Sequence, residues 1–207
     1  MRVAIVGATG GVGRWILAFA RENGDHVKIL VRDRSKLPAD LGAIGVIDGD
    51  VRDPVAVAAT VGGCDVVFSA LGPDGLGPTT VLSEGMRRIV AAMKETGASR
   101  LLAVSSAGVE PDPNVGALAR YVVFPFVLKN VLADLRRMEA EIVRSGLVYT
   151  IARPLKLTDG PRTGLYRAED RLAPPRGREI SRADVADFLV RVVADERTIG
   201  RIAALAY

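Results

Sequence analysis

Three glycines near the start of the chain, Gly7, Gly10 and Gly13, are spaced three residues apart. The apolar run Arg2–Val6 before them is typical of a strand, and the amphipathic residues 14–23 after them are typical of a helix. At such a junction glycine permits a tight turn and brings the backbone close to a diphosphate, while the helix N-terminus offers free N–H groups. A glycine turn without a ligand is the alternative, but the strand–turn–helix context favours a site for a nicotinamide dinucleotide.

The residues at the end of the second strand indicate which dinucleotide would bind. NAD-binding proteins carry an acidic side chain about 20 residues past the glycines, where it holds the ribose 2′-hydroxyl. Here Arg32 stands at that position, and Ser35 and Lys36 follow it. A guanidinium binds a phosphate through two parallel hydrogen bonds, whereas a carboxylate repels it. The pattern favours NADP(H), unless the Asp33 side chain faces the ribose instead or the segment is only a charged loop.

Strand and helix patterns alternate along the rest of the chain. Apolar runs predict buried strands at residues 27–31, 65–71, 101–105 and 148–152, and helical patterns occupy residues 54–61, 79–96 and 131–145. Ser181 and Asp184 form a capping-box pattern for a last helix that extends to about Ala194, and residues 201–207 predict an edge strand. The alternation predicts an α/β fold, a single doubly wound Rossmann domain over residues 1–207 with a mainly parallel sheet and helices on both faces.

Two segments depart from this alternation. The residues near 107–130 contain three prolines and an apolar cluster, and those near 155–180 are rich in Gly, Pro and Arg. Open α/β sheets bind ligands beyond the carboxyl ends of their strands, and the loops there usually hold the substrate. We therefore expect both segments to cover a substrate, with disordered connections as the alternative.

Composition limits the kinds of partner. The chain has 207 residues, 49% of them hydrophobic, and a net charge of +4, with no apolar run long enough to span a membrane. Basic and aromatic residues are not interleaved as on a nucleic-acid surface, so a small anionic partner is favoured over nucleic acid. Cys64 and His26 are the sole cysteine and histidine, so no disulfide and no metal site is predicted. Because a strand begins at residue 2, we expect no signal peptide. The single cysteine fits a reducing cytoplasm, and a chain that suffices for one closed domain is expected to be a monomer.

Four stretches carry a resemblance to a known family. They are Gly7-Ala-Thr-Gly10, Leu30-Val-Arg-Asp33, Pro78-Thr-Thr-Val-Leu-Ser-Glu-Gly85 and Ile89-Val-Ala-Ala-Met-Lys94. Through them the chain resembles the atypical short-chain dehydrogenase/reductase family of NmrA-like, NAD(P)-binding Rossmann proteins over nearly its whole length. Within that family it is most similar to the flavin reductase, or biliverdin-IXβ reductase, group.

The resemblance implies an NADPH-dependent reductase that passes hydride to a planar conjugated acceptor such as a flavin or a linear tetrapyrrole. Ser106 would be the catalytic residue, beside the nicotinamide and the acceptor, as its place after the strand at 101–105 also allows. The alternative is that Ser105 and Ser106 only satisfy backbone groups at the strand end. The implied cofactor-binding residues are Gly7, Thr9, Gly10, Gly11, Val12, Gly13, Arg32, Ser35, Lys36, Asp50, Val51, Leu71, Gly72, Ser105 and Pro154. Leu155 departs from the tetrapyrrole-reducing relatives, which have a histidine there, and the segment after Ser106 is longer than theirs.

The tyrosines argue against ordinary alcohol–ketone chemistry. Short-chain dehydrogenases protonate a carbonyl oxygen with a tyrosine whose pKa is lowered by a lysine four residues later. None of the four tyrosines here has such a lysine, which suits an acceptor whose conjugated system takes hydride. Two alternatives are a non-catalytic NADP-binding sensor, regulator or assembly factor, and an epimerase of nucleotide-linked sugars. Candidates to hold acidic groups of an acceptor, or else solvated charges, are Arg153, Lys156, Arg162 and Arg167.

Overall fold

The computed structural model describes residues 1–38 and 40–207. The strands are β1 (Arg2–Val6), β2 (His26–Val31), β3 (Gly45–Asp48), β4 (Val66–Ser69), β5 (Arg100–Val104), β6 (Val148–Pro154), β7 (Lys156–Thr158), β8 (Arg167–Asp170), β9 (Glu179–Ser181) and β10 (Arg201–Ala206). The helices are α1 (Gly13–Glu22), α2 (Pro54–Val61), α3 (Val81–Thr96), α4 (Lys129–Arg144) and α5 (Arg182–Arg191). In the described part of the chain, no helix combines the length and apolar character that crossing a membrane requires.

Eight strands form one sheet in the order β3-β2-β1-β4-β5-β6-β10-β8. Neighbouring strands are parallel except for β8, which runs antiparallel to β10. From β1 the chain builds outward first through β2 and β3 and then, on the other side, through β4. The loops beyond the carboxyl ends of β1 and β4 therefore diverge and leave a crevice. The predicted α/β fold with a mainly parallel sheet is confirmed.

The helices cover both faces of this sheet. On one face α2, α3 and α4 bury apolar side chains such as Val57, Met86 and Ile142. On the other face α1 and α5 pack against each other and bury Ile16 and Leu189. The apolar strands are consequently enclosed on both sides, which is what parallel sheets require.

The sequence patterns missed four strands, β3, β7, β8 and β9, and one expectation is wrong. β3 and β8 are four residues long and largely exposed, so no apolar run marks them. Backbone pairing rather than side-chain burial holds β8, which lies inside the predicted loop near 155–180. Because β8 pairs with β10, residues 201–206 lie within the sheet and not at its edge.

The other predicted elements lie within three residues of those observed. The capping box at α5 is only half formed. The Ser181 hydroxyl accepts from the Asp184 N–H at 3.0 Å, as predicted. The Asp184 carboxylate, however, accepts from the N–H groups of Thr163 and Gly164, and the Ser181 N–H donates to the Tyr207 hydroxyl. The Asp184 carboxylate therefore binds a loop distant in sequence instead of the Ser181 N–H, its expected local partner.

The two segments expected to cover a substrate contact each other. The first contains a 3-10 turn (Ala107–Val109) and a π-helix (Ala119–Val127) that holds Pro125, a residue without an N–H for α-helical bonding. The buried Asp112 carboxylate accepts from the Ala173 N–H at 2.5 Å, and the Asn114 side-chain amide donates to the Ala173 carbonyl at 2.7 Å. These bonds join the first segment to the second beyond the carboxyl end of β5.

Candidate functional site

A cavity of about 290 Å³ opens at the carboxyl ends of β1, β2 and β4. Its lining includes nine of the residues predicted to bind a cofactor: Gly7, Thr9, Gly10, Arg32, Lys36, Asp50, Val51, Leu71 and Gly72. The chain reverses its direction of sheet building at this point, so the crevice lies where doubly wound sheets bind ligands. The tertiary structure brings together residues that are up to 65 positions apart, from Gly7 to Gly72.

The glycine turn is packed too closely for side chains. Gly7 has a φ of +89°, and a Cβ there would lie 2.5 Å from the Ala70 carbonyl oxygen. At Gly13 a Cβ would lie 2.0 Å from the Gly7 carbonyl oxygen, and at Gly10 the same oxygen would be 3.2 Å away. The first turn of α1 is thereby held against β1, with its N–H groups at the crevice.

Arg32 and Lys36 supply positive charge at the β2 end of the cavity. The Arg32 guanidinium donates to the Asp74 carboxylate at 2.7 Å and lies 4.0 Å from that of Asp50. The Arg32 side chain is 58% exposed, so its pairing with Asp74 is a surface ion pair of small net stability. Arg32 can therefore exchange Asp74 for a phosphate. The sequence carried no signal for Asp74 as its partner.

Asp33, the residue that would reverse the NADP(H) preference, lines the cavity beside Arg32, but its carboxylate is engaged in local hydrogen bonds. It accepts from the Ser35 N–H at 3.0 Å and from the Ser35 hydroxyl at 2.6 Å, which caps a short 3-10 helix. These hydrogen bonds hold the pKa of Asp33 below its usual range. They also occupy Ser35, which does not line the cavity although it was predicted to bind the cofactor.

Asp50 and Val51 close the cavity on the side of α3. Hydrogen bonds from Arg52 hold the pKa of Asp50 below its usual range, so this carboxylate is an acceptor near neutrality. Val51 packs so tightly on α3 that a Cβ at Gly85 would lie 2.7 Å from its side chain. Asp50 therefore gives the cavity a polar edge, and Val51 gives it an apolar wall.

The two serines after β5 differ in their surroundings. Ser106 is half-buried, and its hydroxyl oxygen accepts from the Gly108 N–H at 3.3 Å, which leaves the hydroxyl proton free to be donated. Ser105 is buried, and its hydroxyl donates to the Glu139 carboxylate at 2.5 Å. Neither lines the cavity, and the same holds for Gly11, Val12, Gly13 and Pro154.

Glu139 belongs to a buried ionic network that the sequence analysis did not find. Its carboxylate receives hydrogen bonds from Arg153 at 2.9 and 2.5 Å, and Arg153 also pairs with Glu110, which in turn pairs with Arg171. Burial alone would lower the pKa of Arg153, but the hydrogen bonds that it donates to Glu139 and Glu110 outweigh burial, and the pKa is raised. At 1% exposure Arg153 is a structural ion and is not available to a substrate, contrary to the sequence-based expectation.

The three other basic residues expected to hold acidic groups of an acceptor are also engaged within the protein. Lys156 pairs with Glu179 at 3.2 Å, Arg162 with the buried Asp187 at 2.5 Å, and Arg167 donates to the Tyr207 carbonyl at 2.6 Å. These contacts join the segment near 155–180 to α5, to β9 and to Tyr207 after β10. The sequence alone did not show whether these basic side chains form contacts within the protein or bind a ligand.

The tyrosine hydroxyls near α5 are likewise structural. Tyr166 donates to Asp187 at 3.0 Å and Tyr207 to Asp184 at 2.7 Å. Burial, with the charge of Asp187, raises the pKa of Tyr166 well above its ordinary value. A phenol in this setting does not exchange its proton near neutrality.

Comparison with known proteins identifies the family. Residues 7–196 match the NAD(P)H-binding family, a match that begins at the first glycine of the turn and spans most of the chain. The chain belongs to this NAD(P)H-binding family. The predicted nicotinamide cofactor class is thus confirmed. The glycine turn of this NAD(P)H-binding chain fits such a cofactor, because a Cβ at Gly7, Gly10 or Gly13 would crowd the backbone of the turn.

Relatives of this NAD(P)H-binding chain carry different names. It is 30% identical to the uncharacterized sugar epimerase YhfK of Bacillus subtilis (strain 168), over 97% of this chain and 92% of that one. It is 28% identical to the NAD(P)H azoreductase of Xenophilus azovorans, over 73% of this chain and 47% of that one. A short-chain dehydrogenase/reductase of Veillonella parvula DSM 2008, solved in complex with NADP, has the same fold, with a TM-score of 0.86 at 20% identity and coverage of 100% and 94%.

Proposed function

We propose that this protein is an NADPH-dependent reductase of the flavin and biliverdin reductase type, which transfers hydride to a planar conjugated acceptor. The observation that carries the proposal is the cavity between β1, β2 and β4, which joins a glycine cradle to the cations Arg32 and Lys36. A cradle for a diphosphate and a pair of cations for a further phosphate match the two anionic parts of NADPH. The azoreductase relative, named as an NAD(P)H enzyme that acts on azo compounds, supports this class of acceptor.

In this proposal the chain binds and positions, while the bound NADPH supplies the hydride. Backbone N–H groups at the start of α1 hold the diphosphate, and Arg32 and Lys36 hold the 2′-phosphate. Asp50 and Val51 border the adenine, and Leu71 and Gly72 line the groove. Ser106 donates a hydrogen bond at the nicotinamide end, and solvent supplies the proton. Much of the rate enhancement then comes from holding two rings at transfer distance.

A second cavity supports a planar, anionic acceptor. It has a volume of about 480 Å³ and lies between the π-helix and α4, beginning at Gly108, two residues past Ser106. Phe124 and Leu132 give it apolar walls. Its charged lining residues are Arg120, Lys129 and Arg136 together with Glu110 and Asp112, so the cations are in excess by one. Aromatic walls with a few charged groups suit a flat ligand with carboxylate or phosphate substituents.

The absence of a Tyr-x-x-x-Lys pair is consistent with this chemistry, because a conjugated ring system that accepts hydride can take its proton from solvent. A second candidate function, an NADP-binding sensor or regulator, is favoured by the internal pairing of Arg153 and Arg162, which leaves few side chains for chemistry. We place the reductase first because Gly108, which lines the second cavity, donates its N–H to the Ser106 hydroxyl.

The test is oxidation of NADPH and of NADH by the purified protein with FMN, riboflavin and biliverdin offered separately. We expect turnover with NADPH and at least one acceptor, and slower turnover with NADH. A reaction without acceptor controls for oxidation by oxygen. Tight NADPH binding without turnover on any acceptor would favour the sensor, and failure to bind either dinucleotide would refute both functions.

A further inference from the structure

Arg182, which neither the motifs nor the cavity lining include, lies directly over the glycine turn. A Cβ on Gly11 would lie 2.5 Å from both Cδ and Nε of Arg182. The arginine is the first residue of α5, and its side chain is 28% exposed. Gly11 is therefore small enough to let a guanidinium stem rest on the backbone of the turn.

The fold explains why this arginine reaches the turn. α1 and α5 lie side by side on one face of the sheet, in crossovers that begin at the carboxyl ends of β1 and β6. Both helices thus direct their N-termini, with their partial positive charges, to the same edge. Arg182 adds a full positive charge near these two helix N-termini. Their own partial positive charges do not attract a cation.

The partner of Arg182 in the protein is a weak one. Its guanidinium donates to the Asp159 carboxylate at 2.8 Å, but the Asp159 side chain is 90% exposed. Exposed pairs of this kind contribute little because water screens the attraction. An arginine held near two helix N-termini by so weak a contact is available to a stronger anion.

We propose that Arg182 binds the diphosphate of the dinucleotide and exchanges the Asp159 carboxylate for a phosphate oxygen when the cofactor enters. The inference rests on the proposed function in one respect, that the glycine turn is the diphosphate site. A guanidinium meets phosphate oxygens through charge-assisted hydrogen bonds, the stronger class of such bonds. The diphosphate is common to NADPH and NADH, so Arg182 contributes to the affinity for both.

The experiment compares wild type with Arg182→Met, Arg182→Lys and Asp159→Asn by calorimetric titration with NADPH, NADH and adenosine 2′-monophosphate. Methionine keeps an unbranched stem over Gly11 and removes the charge, whereas lysine keeps the charge. We expect Arg182→Met to weaken NADPH and NADH about tenfold each and Arg182→Lys to weaken them less. Adenosine 2′-monophosphate, which lacks the diphosphate, keeps its affinity and reports that the variant is folded. Asp159→Asn binds both dinucleotides as tightly as wild type or up to about threefold more tightly.

Three results would overturn the proposal. The first is unchanged affinity of Arg182→Met for both dinucleotides. The second is an equal loss for adenosine 2′-monophosphate, which would indicate a general disturbance of the site. The third is that Asp159→Asn weakens dinucleotide binding to the same extent as Arg182→Met. That result would mean that the ion pair stabilises the site and does not compete with the phosphate. A wild-type protein that binds neither dinucleotide would instead refute the proposed function itself, and with it this inference.

Discussion

At the scale of single residues, Arg32 and Arg34 stand two positions apart at the end of β2 but have different surroundings. Arg32 lines the cavity, whereas Arg34 pairs with Asp48 at 2.6 Å on the exposed surface. The pair therefore offers a natural comparison between a cation placed for a ligand and one placed for the surface.

Arg32→Ala is expected to weaken NADPH binding at least tenfold and NADH binding less than threefold, because only NADPH carries the 2′-phosphate that the guanidinium would meet. Titration followed by the fluorescence of the reduced nicotinamide measures both constants. Arg34→Ala is the matched control and should change neither. Equal losses of NADPH and NADH affinity in Arg32→Ala would show that the 2′-phosphate lies elsewhere.

Ser106→Ala is expected to lower the turnover number about tenfold or more while the dissociation constant for NADPH stays within about twofold, because the hydroxyl donates its hydrogen bond at the acceptor and not at the phosphates. Steady-state kinetics with the best acceptor, together with a binding titration, separates the two quantities. Unchanged turnover would exclude a catalytic role for this hydroxyl.

At the scale of elements, the turn between β1 and α1 tolerates no side chain at Gly13. We expect Gly13→Ala to reduce the free energy of unfolding by about 3 kcal/mol and to abolish dinucleotide binding, because the new Cβ would meet backbone atoms that cannot move aside. Urea denaturation followed by circular dichroism measures the loss. Gly116→Ala, where a Cβ would meet nothing within 4 Å, is the control and should be nearly neutral.

α5 holds the segment near 155–180 through a buried carboxylate. Burial alone would raise the pKa of Asp184, but hydrogen bonds from Thr163, Gly164 and Tyr207 outweigh it and lower that pKa. The unfolded chain therefore takes up this proton more readily, with a pKa near 4. Its contribution to stability is complete above that pH and is lost as the pH falls through the lower folded pKa.

We therefore expect the urea midpoint of the wild type to fall as the pH is lowered below about 4, and to fall less steeply in Asp184→Asn. The variant is also less stable at neutral pH. Asp170→Asn, a change in exposed β8, should leave the acid slope as it is in the wild type. An Asp184→Asn slope equal to the wild-type slope would assign the acid sensitivity to other carboxylates.

At the scale of the whole molecule, one ionic network connects the sheet to both covering segments. Glu139 on α4 bonds Ser105 after β5 and Arg153 in β6, while Glu110 and Arg171 extend the network into the two segments. Removing charge from one partner leaves the other ion buried and partly unpaired, which is costly in a low-dielectric interior. The network therefore couples the position of the Ser105–Ser106 strand end to global stability.

Glu139→Gln is expected to lower the free energy of unfolding by about 3 kcal/mol, because Arg153 keeps only Glu110 as a charged partner. Glu141→Gln, two positions along the same helix, removes a surface pair with Arg87 and should cost less than about 1 kcal/mol. Chemical denaturation of both variants gives the comparison. Similar losses in the two would mean that burial of the network contributes little.

The expected monomeric state stays a prediction for light scattering.

Local sequence was sufficient wherever structure follows from the properties of neighbouring residues. The glycine spacing predicted the tight turn, because only glycine fits positions where a Cβ would meet backbone oxygens. Apolar runs predicted the central strands, because those strands are buried on both faces. The helical patterns predicted the start of α2 at residue 54 and the end of α3 at residue 96, where the structure places an Asp53 N-cap and a left-handed Gly97.

The tertiary structure alone decided what distant side chains do. β8 and β3 are strands because a neighbour offers free backbone groups, and their own exposed residues carry no pattern that shows it. Arg153 looks like a ligand-binding cation in sequence and is a buried ion because Glu139, 14 positions away, folds against it. Asp184 was expected to cap its own helix and binds a loop 20 residues earlier. The sequence by itself determined the turn, the central strands and the cofactor class, since these depend on local sterics and burial. The partners of the charged residues depend on which elements the fold brings together, and that only the assembled structure shows.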